Sequence, residues 1–390
     1  MAVTQEETEQ HQAEDPLCRV EEWLAPAGTY VRERRSPHLD LITAPAAPVE
    51  RKAGLSGFRQ KAGLGLFRRA PDPAAEQLLR ERTAAAQRQF SRPMNVLVAN
   101  PCGGSGVTAC VLGISGTFGT LRGGSVLAWD THESFGGLGV RTMTNGGSRT
   151  VIDLLADAGN FDRIDARAGD LGAYWRAQPG AFFDVLVSDQ DAARPLELGA
   201  PEFRRIHQLL TRFRDLVIID TGNNTRRPNF LAAVEVCDQL VIPTTAGPDS
   251  LWAVSMLIDQ LEAMGRADLV NTAIVILTDA NPADATSASR QKALDWLGTW
   301  ARTIVEVPYD GHIAARSTID YRLLAEPTRN AFLEAAALIA EGLTNRGHQP
   351  PATEPPGKEL HTAVPPPAEA QALTDQSMTD QFTNYEGNLK

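Results

Sequence analysis

Residues 100–108 read Asn-Pro-Cys-Gly-Gly-Ser-Gly-Val-Thr, directly after the hydrophobic run 95–99. Glycines at 103, 104 and 106 let backbone N–H groups approach phosphate oxygens, and a helix starting behind them would add partial positive charge. Thr108 stands where a hydroxyl would hold Mg²⁺. Two carboxylates follow further hydrophobic runs: Asp130, in Trp-Asp-Thr-His-Glu, and Asp220, in Ile-Ile-Asp-Thr-Gly-Asn-Asn. A carboxylate at such a place suits a water-mediated Mg²⁺ contact. Together these residues describe a phosphate-and-magnesium site. His132 and Glu133 are metal-ligating types side by side, but a pair without further ligands reads as a polar loop. Cys102 falls where a helix N-terminus would favour a thiolate, although a position free to drift is the plainer reading.

Such residues need a scaffold that brings strand ends together. Short, continuous apolar runs rich in β-branched residues occur at 95–99, 125–129, 183–187, 215–219, 239–243, 273–277 and 303–307. They read as strands buried on both faces. Helical patterns fall between them, as at 201–213, 249–264 and 285–301, and a polar helix is expected within 73–90. Seven strands alternating with helices predict an α/β fold, a doubly wound, mostly parallel seven-stranded sheet in one domain over 94–345. In such a sheet ligands bind at the C-terminal strand ends, where the loop, Asp130 and Asp220 all fall.

The charge is unevenly spread. Residues 31–93 carry net +7, whereas 1–30 carry net −6 and 94–345 net −9, so one basic block sits in an acidic chain. That balance argues against a chain coated in nucleic acid. Residues 1–50 form an expected disordered acidic tail. Residues 51–93 form a basic linker, with bases and apolar residues mixed over 51–69. That segment suits nonspecific DNA, an acidic membrane surface or a partner protein, and equally a solvated linker. All seven prolines of 346–390 lie between 350 and 367, which predicts a disordered Pro-rich tail. The N-terminus carries no secretory pattern and no run is apolar enough to span a membrane. Cys18, Cys102, Cys110 and Cys237 show no metal-ligand spacing and read as free thiols, so a cytoplasmic location is expected.

Across 94–343 the chain resembles the ParA/MinD group of deviant Walker-type P-loop ATPases, which position plasmids, chromosomes and other cargo. The family loop reads Lys-Gly-Gly-x-Gly-Lys-Thr where this chain has Cys-Gly-Gly-Ser-Gly-Val-Thr. Asp130 matches the family's acid after the second strand, and Asp220 its Walker B position. Val-Ile-Pro-Thr-Thr at 241–245 matches the next family strand, and Val-Pro-Tyr-Asp-Gly-His-Ile at 307–313 the late segment whose proline lies near adenine. The Trp-Asp-x-x-Glu motif is most similar to a bacterial ParA-like subgroup. The resemblance implies ATP and Mg²⁺ as cofactors. It places Gly103, Gly104, Ser105, Gly106, Val107, Thr108 and Pro308 at the nucleotide, Thr108 and Asp220 at the metal, and Asp130 at the attacking water. It also implies a dimer, with itself or with an active paralogue, and a ParB-like partner.

The loop departs from that family at its charged positions. Val107 replaces the lysine that pairs with the β- and γ-phosphates, and Cys102 the signature lysine that crosses the family's dimer. Residues 94–345 contain one lysine, Lys292, on a distant predicted helix. A lost charged hydrogen bond costs roughly 1.5–3 kcal/mol, and more where it stabilises a transition state. Arg122, Arg141, Arg226 and Arg227 are the candidate replacements, with Arg226 and Arg227 preferred because they closely follow Asp220. The functions implied are a positioning protein switched by weakly bound ATP–Mg²⁺, a pseudo-ATPase scaffold, or an adaptor working through 51–69.

Overall fold

The computed structural model describes residues 73–132, 136–143, 149–189, 198–284 and 287–347. The expectations for 1–50, for 51–69 and for the prolines at 350–367 lie outside the described residues, as does Glu133.

Strand β1 (Met94–Val98) is wholly buried and lies mid-sheet, as its continuous apolar sequence demands. It pairs in parallel with β5 (Leu216–Asp220) on one side and β6 (Gln239–Thr244) on the other. Beyond β5 come β2 (Val126–Asp130) and β4 (Phe183–Leu186), both parallel; beyond β6 come β7 (Ile274–Thr278) and β8 (Thr303–Val307), also parallel. The seven expected strands are all present, each within a residue or so of its predicted range. An eighth, β3 (Arg176–Gln178), pairs antiparallel with β4 at the sheet edge. Its three residues carry no apolar run, so only the turn that folds it back onto β4 creates it.

Helices cover both faces. On one face α2 (Val107–Arg122), which follows the glycine loop, packs with α11 (Glu326–Gly347) around Phe118 and Phe332. On the other, α5 (Ala200–Phe213), α6 (Pro228–Val236), α7 (Pro248–Ala263) and α9 (Ala288–Leu297) enclose a core that includes a Trp129–Phe203 stack at 4.5 Å. The polar helix expected within 73–90 forms over Pro73–Ala86, here α1. It packs against α11, tied by an Arg82–Glu334 ion pair of 2.8 Å. Among the described residues no helix is long and apolar enough to cross a membrane.

Candidate functional site

Three parallel strands end together. In the register, Val98 of β1 and Asp130 of β2 both sit opposite Asp220 of β5. Both aspartates are fully buried, and the chain turns there into loops because a parallel strand must cross over to rejoin its sheet.

The glycine loop spans 99–106 between β1 and α2. Asn100 anchors its start: its side-chain amide donates to the Pro243 carbonyl at 2.7 Å, and its Oδ1 accepts from the Cys102 N–H at 2.8 Å. Gly106 caps α2 with φ of 95°, a left-handed backbone that an L-residue rarely adopts. The first-turn N–H groups at Val107 and Thr108 then point out of the helix end, where an anion would sit.

Thr108 Oγ1 donates to Asp220 Oδ2 at 2.8 Å. Burial first, then the adjacent Asp130 charge, raises the Asp220 carboxyl above the usual carboxylate range. Oδ1 of Asp130 accepts from the His132 N–H at 3.1 Å and lies 2.7 Å from the ring Nδ1, so His132 serves a carboxylate. Asp130 Oδ2 has no hydrogen-bond partner despite complete burial. The segment after β2 presses close to this pair. A Cβ on Gly136 would overlap the Asp130 carboxylate, and one on Gly137 would stand 2.8 Å from Thr108 Oγ1. Among the described residues no cluster of three His, Cys, Asp or Glu side chains is placed to hold a metal.

Over the loop opens a cavity of about 740 Å³, lined by residues 102–110, Asp220, Asn223 and the 307–310 segment. Gly103 through Thr108 and Pro308 all reach it, whereas Asp130 lies behind the wall. Beside the loop, Cys102 Sγ sits 3.8 Å from Asp249 Oδ2. Burial, and then that acid, push the thiol up, which opposes an activated thiolate. The arginine preference is not met. Arg226 and Arg227 do not line the cavity, and Arg122 donates to the Ala86 and Arg88 carbonyls at the far end of α2. Arg141, at the end of α3 (Gly137–Arg141), does line it. So does Arg316, which nothing local marks out, since it falls after a motif rather than in one. The Gly136-Gly137 pair is a further site element, and paired glycines six residues after Asp130 are its signal in the sequence.

No protein-family model matches this chain. It is 23% identical over 248 residues to the ESX-1 secretion-associated protein EspI of Mycobacterium tuberculosis, covering 63% of this chain and 36% of that protein. The match thus spans about a third of the relative's length. Among solved structures, a ParA family ATPase from Chlorobium tepidum TLS superposes with a TM-score of 0.51 at 16% identity, over 64% of this chain and 97% of the other. The cell division ATPase MinD of Pyrococcus furiosus gives 0.49 at 18% identity, over 64% and 98%. The chain has a ParA/MinD-like P-loop ATPase fold.

Proposed function

We propose that this chain is a ParA/MinD-like positioning protein that binds ATP–Mg²⁺ weakly and uses it as a switch. The observation that carries this reading is the Thr108–Asp220 hydrogen bond at the glycine-loop cavity, with Asp130 in register beside it. In this reading Gly103, Gly104, Ser105, Gly106, Val107 and Thr108 wrap the phosphates, and Pro308 lies against the base. Thr108 and Asp220 hold the metal. These hard oxygen donors suit Mg²⁺, which keeps several waters and phosphate oxygens and so needs few protein ligands. The unpartnered Asp130 Oδ2 is a buried acceptor suited to a water of that shell. Bound Mg²⁺ would supply charge neutralisation at the phosphates. With lysine absent from 102 and 107, hydrolysis is slow, because charge stabilisation is most of phosphoryl-transfer catalysis.

Titrating the purified protein with a fluorescent ATP analogue, with and without Mg²⁺, tests this. The expected result is weak saturable binding that strengthens with the metal. Absence of binding at roughly millimolar nucleotide, where association is worth only about 4 kcal/mol, would sink the switch. One observation favours a second reading, a pseudo-ATPase scaffold paired with an active paralogue: Asp130 lies outside the cavity wall, engaged by His132. Turnover by this chain alone, above that of an Asp130→Asn variant, eliminates it. The name of the curated relative ties that protein to ESX-1 secretion. We accordingly place a secretion assembly first among cargoes, ahead of a plasmid. Disrupting the gene should alter the secreted-protein profile and leave plasmid retention intact; the reverse result returns the reading to partition. DNA or membrane contact through 51–69 is a separate proposal, tested by deleting that segment before DNA and liposome binding.

A further inference from the structure

The loop has lost its lysines, yet its cavity has not lost positive charge. Arg141 approaches from α3, and its Nη2 donates to the Ile313 carbonyl at 2.9 Å. Its Nε is buried and has no hydrogen-bond partner. Arg316 is an exposed residue just past α10 (Gly311–Ala314). Both side chains line the glycine-loop cavity.

The carboxylates lining that cavity are all engaged elsewhere. Asp220 accepts from Thr108, and Asp279 is paired with Arg290. Asp310 accepts from the N–H groups of His312 at 2.8 Å and Ala325 at 2.9 Å. Neither Arg141 nor Arg316 forms an ion pair with a carboxylate among the described residues. Both border the same cavity instead. Burial, and then the Arg316 charge, lower the proton affinity of Arg141. The Asp220 charge offsets part of that repulsion, and an anion bound in the cavity would offset more of it. Arg316 also holds φ of 53°, in the left-handed region that favours glycine. Such strain persists only where the surroundings hold it.

We propose that Arg141 and Arg316 form a two-arginine clamp for the phosphate chain of the nucleotide, replacing the charge that lysines at 102 and 107 would have supplied. The proposal rests on the nucleotide reading above. Guanidinium forks bind phosphate oxygens in bidentate fashion, so two of them can hold a polyphosphate without a lysine. Their source also differs. The lysines of the resembling family sit on the loop itself, whereas these arginines come from the segments after β2 and β8 and depend on the tertiary fold to meet.

Calorimetric titration at fixed salt, with ATP, ADP and inorganic tripolyphosphate as probes, tests this on the full chain. The variants are Arg141→Gln, Arg141→Lys and Arg316→Gly. Both charge-removing variants should weaken ATP and tripolyphosphate about ten- to hundredfold, with the effect falling from ATP to ADP. Arg141→Lys should keep part of the affinity. Arg316→Gly relieves the left-handed strain, so it should melt no lower than the parent while binding less tightly; this variant decides the matter if Arg141→Gln folds poorly. Parent protein that binds ATP, with both variants within about threefold of it, overturns the clamp and leaves the nucleotide reading standing. Arginine-dependent tripolyphosphate binding without ATP binding does the opposite. Failure of the parent to bind either probe overturns both.

Discussion

Returning lysine to position 107 is the most informative perturbation. Val107 is the first residue of α2, half-buried, and lines the cavity next to Thr108 in the chain. A lysine there starts from the helix end where a phosphate is expected, and the carboxylates lining the cavity, Asp220, Asp279 and Asp310, already have partners in Thr108, Arg290 and the His312 and Ala325 N–H groups. A charged hydrogen bond contributes roughly 1.5–3 kcal/mol, or about a 10- to 100-fold gain in ATP affinity. Repulsion from Arg141, facing the same cavity, reduces this toward the lower figure. Cys102→Lys should behave differently. Asp249 Oδ2 is 3.8 Å from the Cys102 sulfur, so a lysine at 102 pairs within the chain and gains little for an isolated protomer. Calorimetry with ATP–Mg²⁺ on Val107→Lys, Cys102→Lys and the double variant separates the two positions. Val107→Lys that melts normally yet binds ATP no better than the parent refutes the assignment of this loop as a phosphate site.

Gly136→Ala places a Cβ against the buried Asp130 carboxylate. Overpacking of this kind costs about 1–3 kcal/mol, so the melting temperature should fall by roughly 2–12 °C; an unchanged melt would show that the segment after β2 does not press on the site. His207 is mostly buried, with Nε2 2.9 Å from Asn95 Oδ1, and burial lowers it to about 4, against a weaker opposing pull from Asp238. The neutral ring is therefore the folded form: its stability is complete above about pH 6.5 and is lost as pH falls toward 4, by about 3 kcal/mol. Denaturant melts across that window should decline, and His207→Gln should flatten the decline; an equally steep variant assigns it elsewhere. Arg290 bridges buried Asp279 and exposed Glu306, so Arg290→Met strands the Asp279 charge. A loss of about 3 kcal/mol is expected, with recovery in Arg290→Met/Asp279→Asn, and a single variant as stable as the parent would exclude the pair from holding the loop after β7.

The sequence by itself determined the strands and the loop between them. Buried parallel strands are continuous apolar runs, and 95–99 or 215–219 can be little else, because water is excluded from both of their faces. The glycines at 104 and 106 and the hydroxyl at 108 are local signals, since backbone freedom and side-chain chemistry belong to the residue that carries them. Strand β3 was not legible, because Arg176–Gln178 is a strand only through its pairing with β4. That Asp130 and Asp220 each end a strand is legible along the chain, but their common register and burial come from β2 and β5 lying side by side. The charge around the cavity was least legible. Arg226 and Arg227 follow Asp220 in sequence yet do not line the cavity, while Arg141 and Arg316, 175 positions apart by number, do. Proximity in sequence fixes backbone geometry over a few residues only. Which long side chains converge on one anion site depends on crossovers that only the folded sheet sets in place.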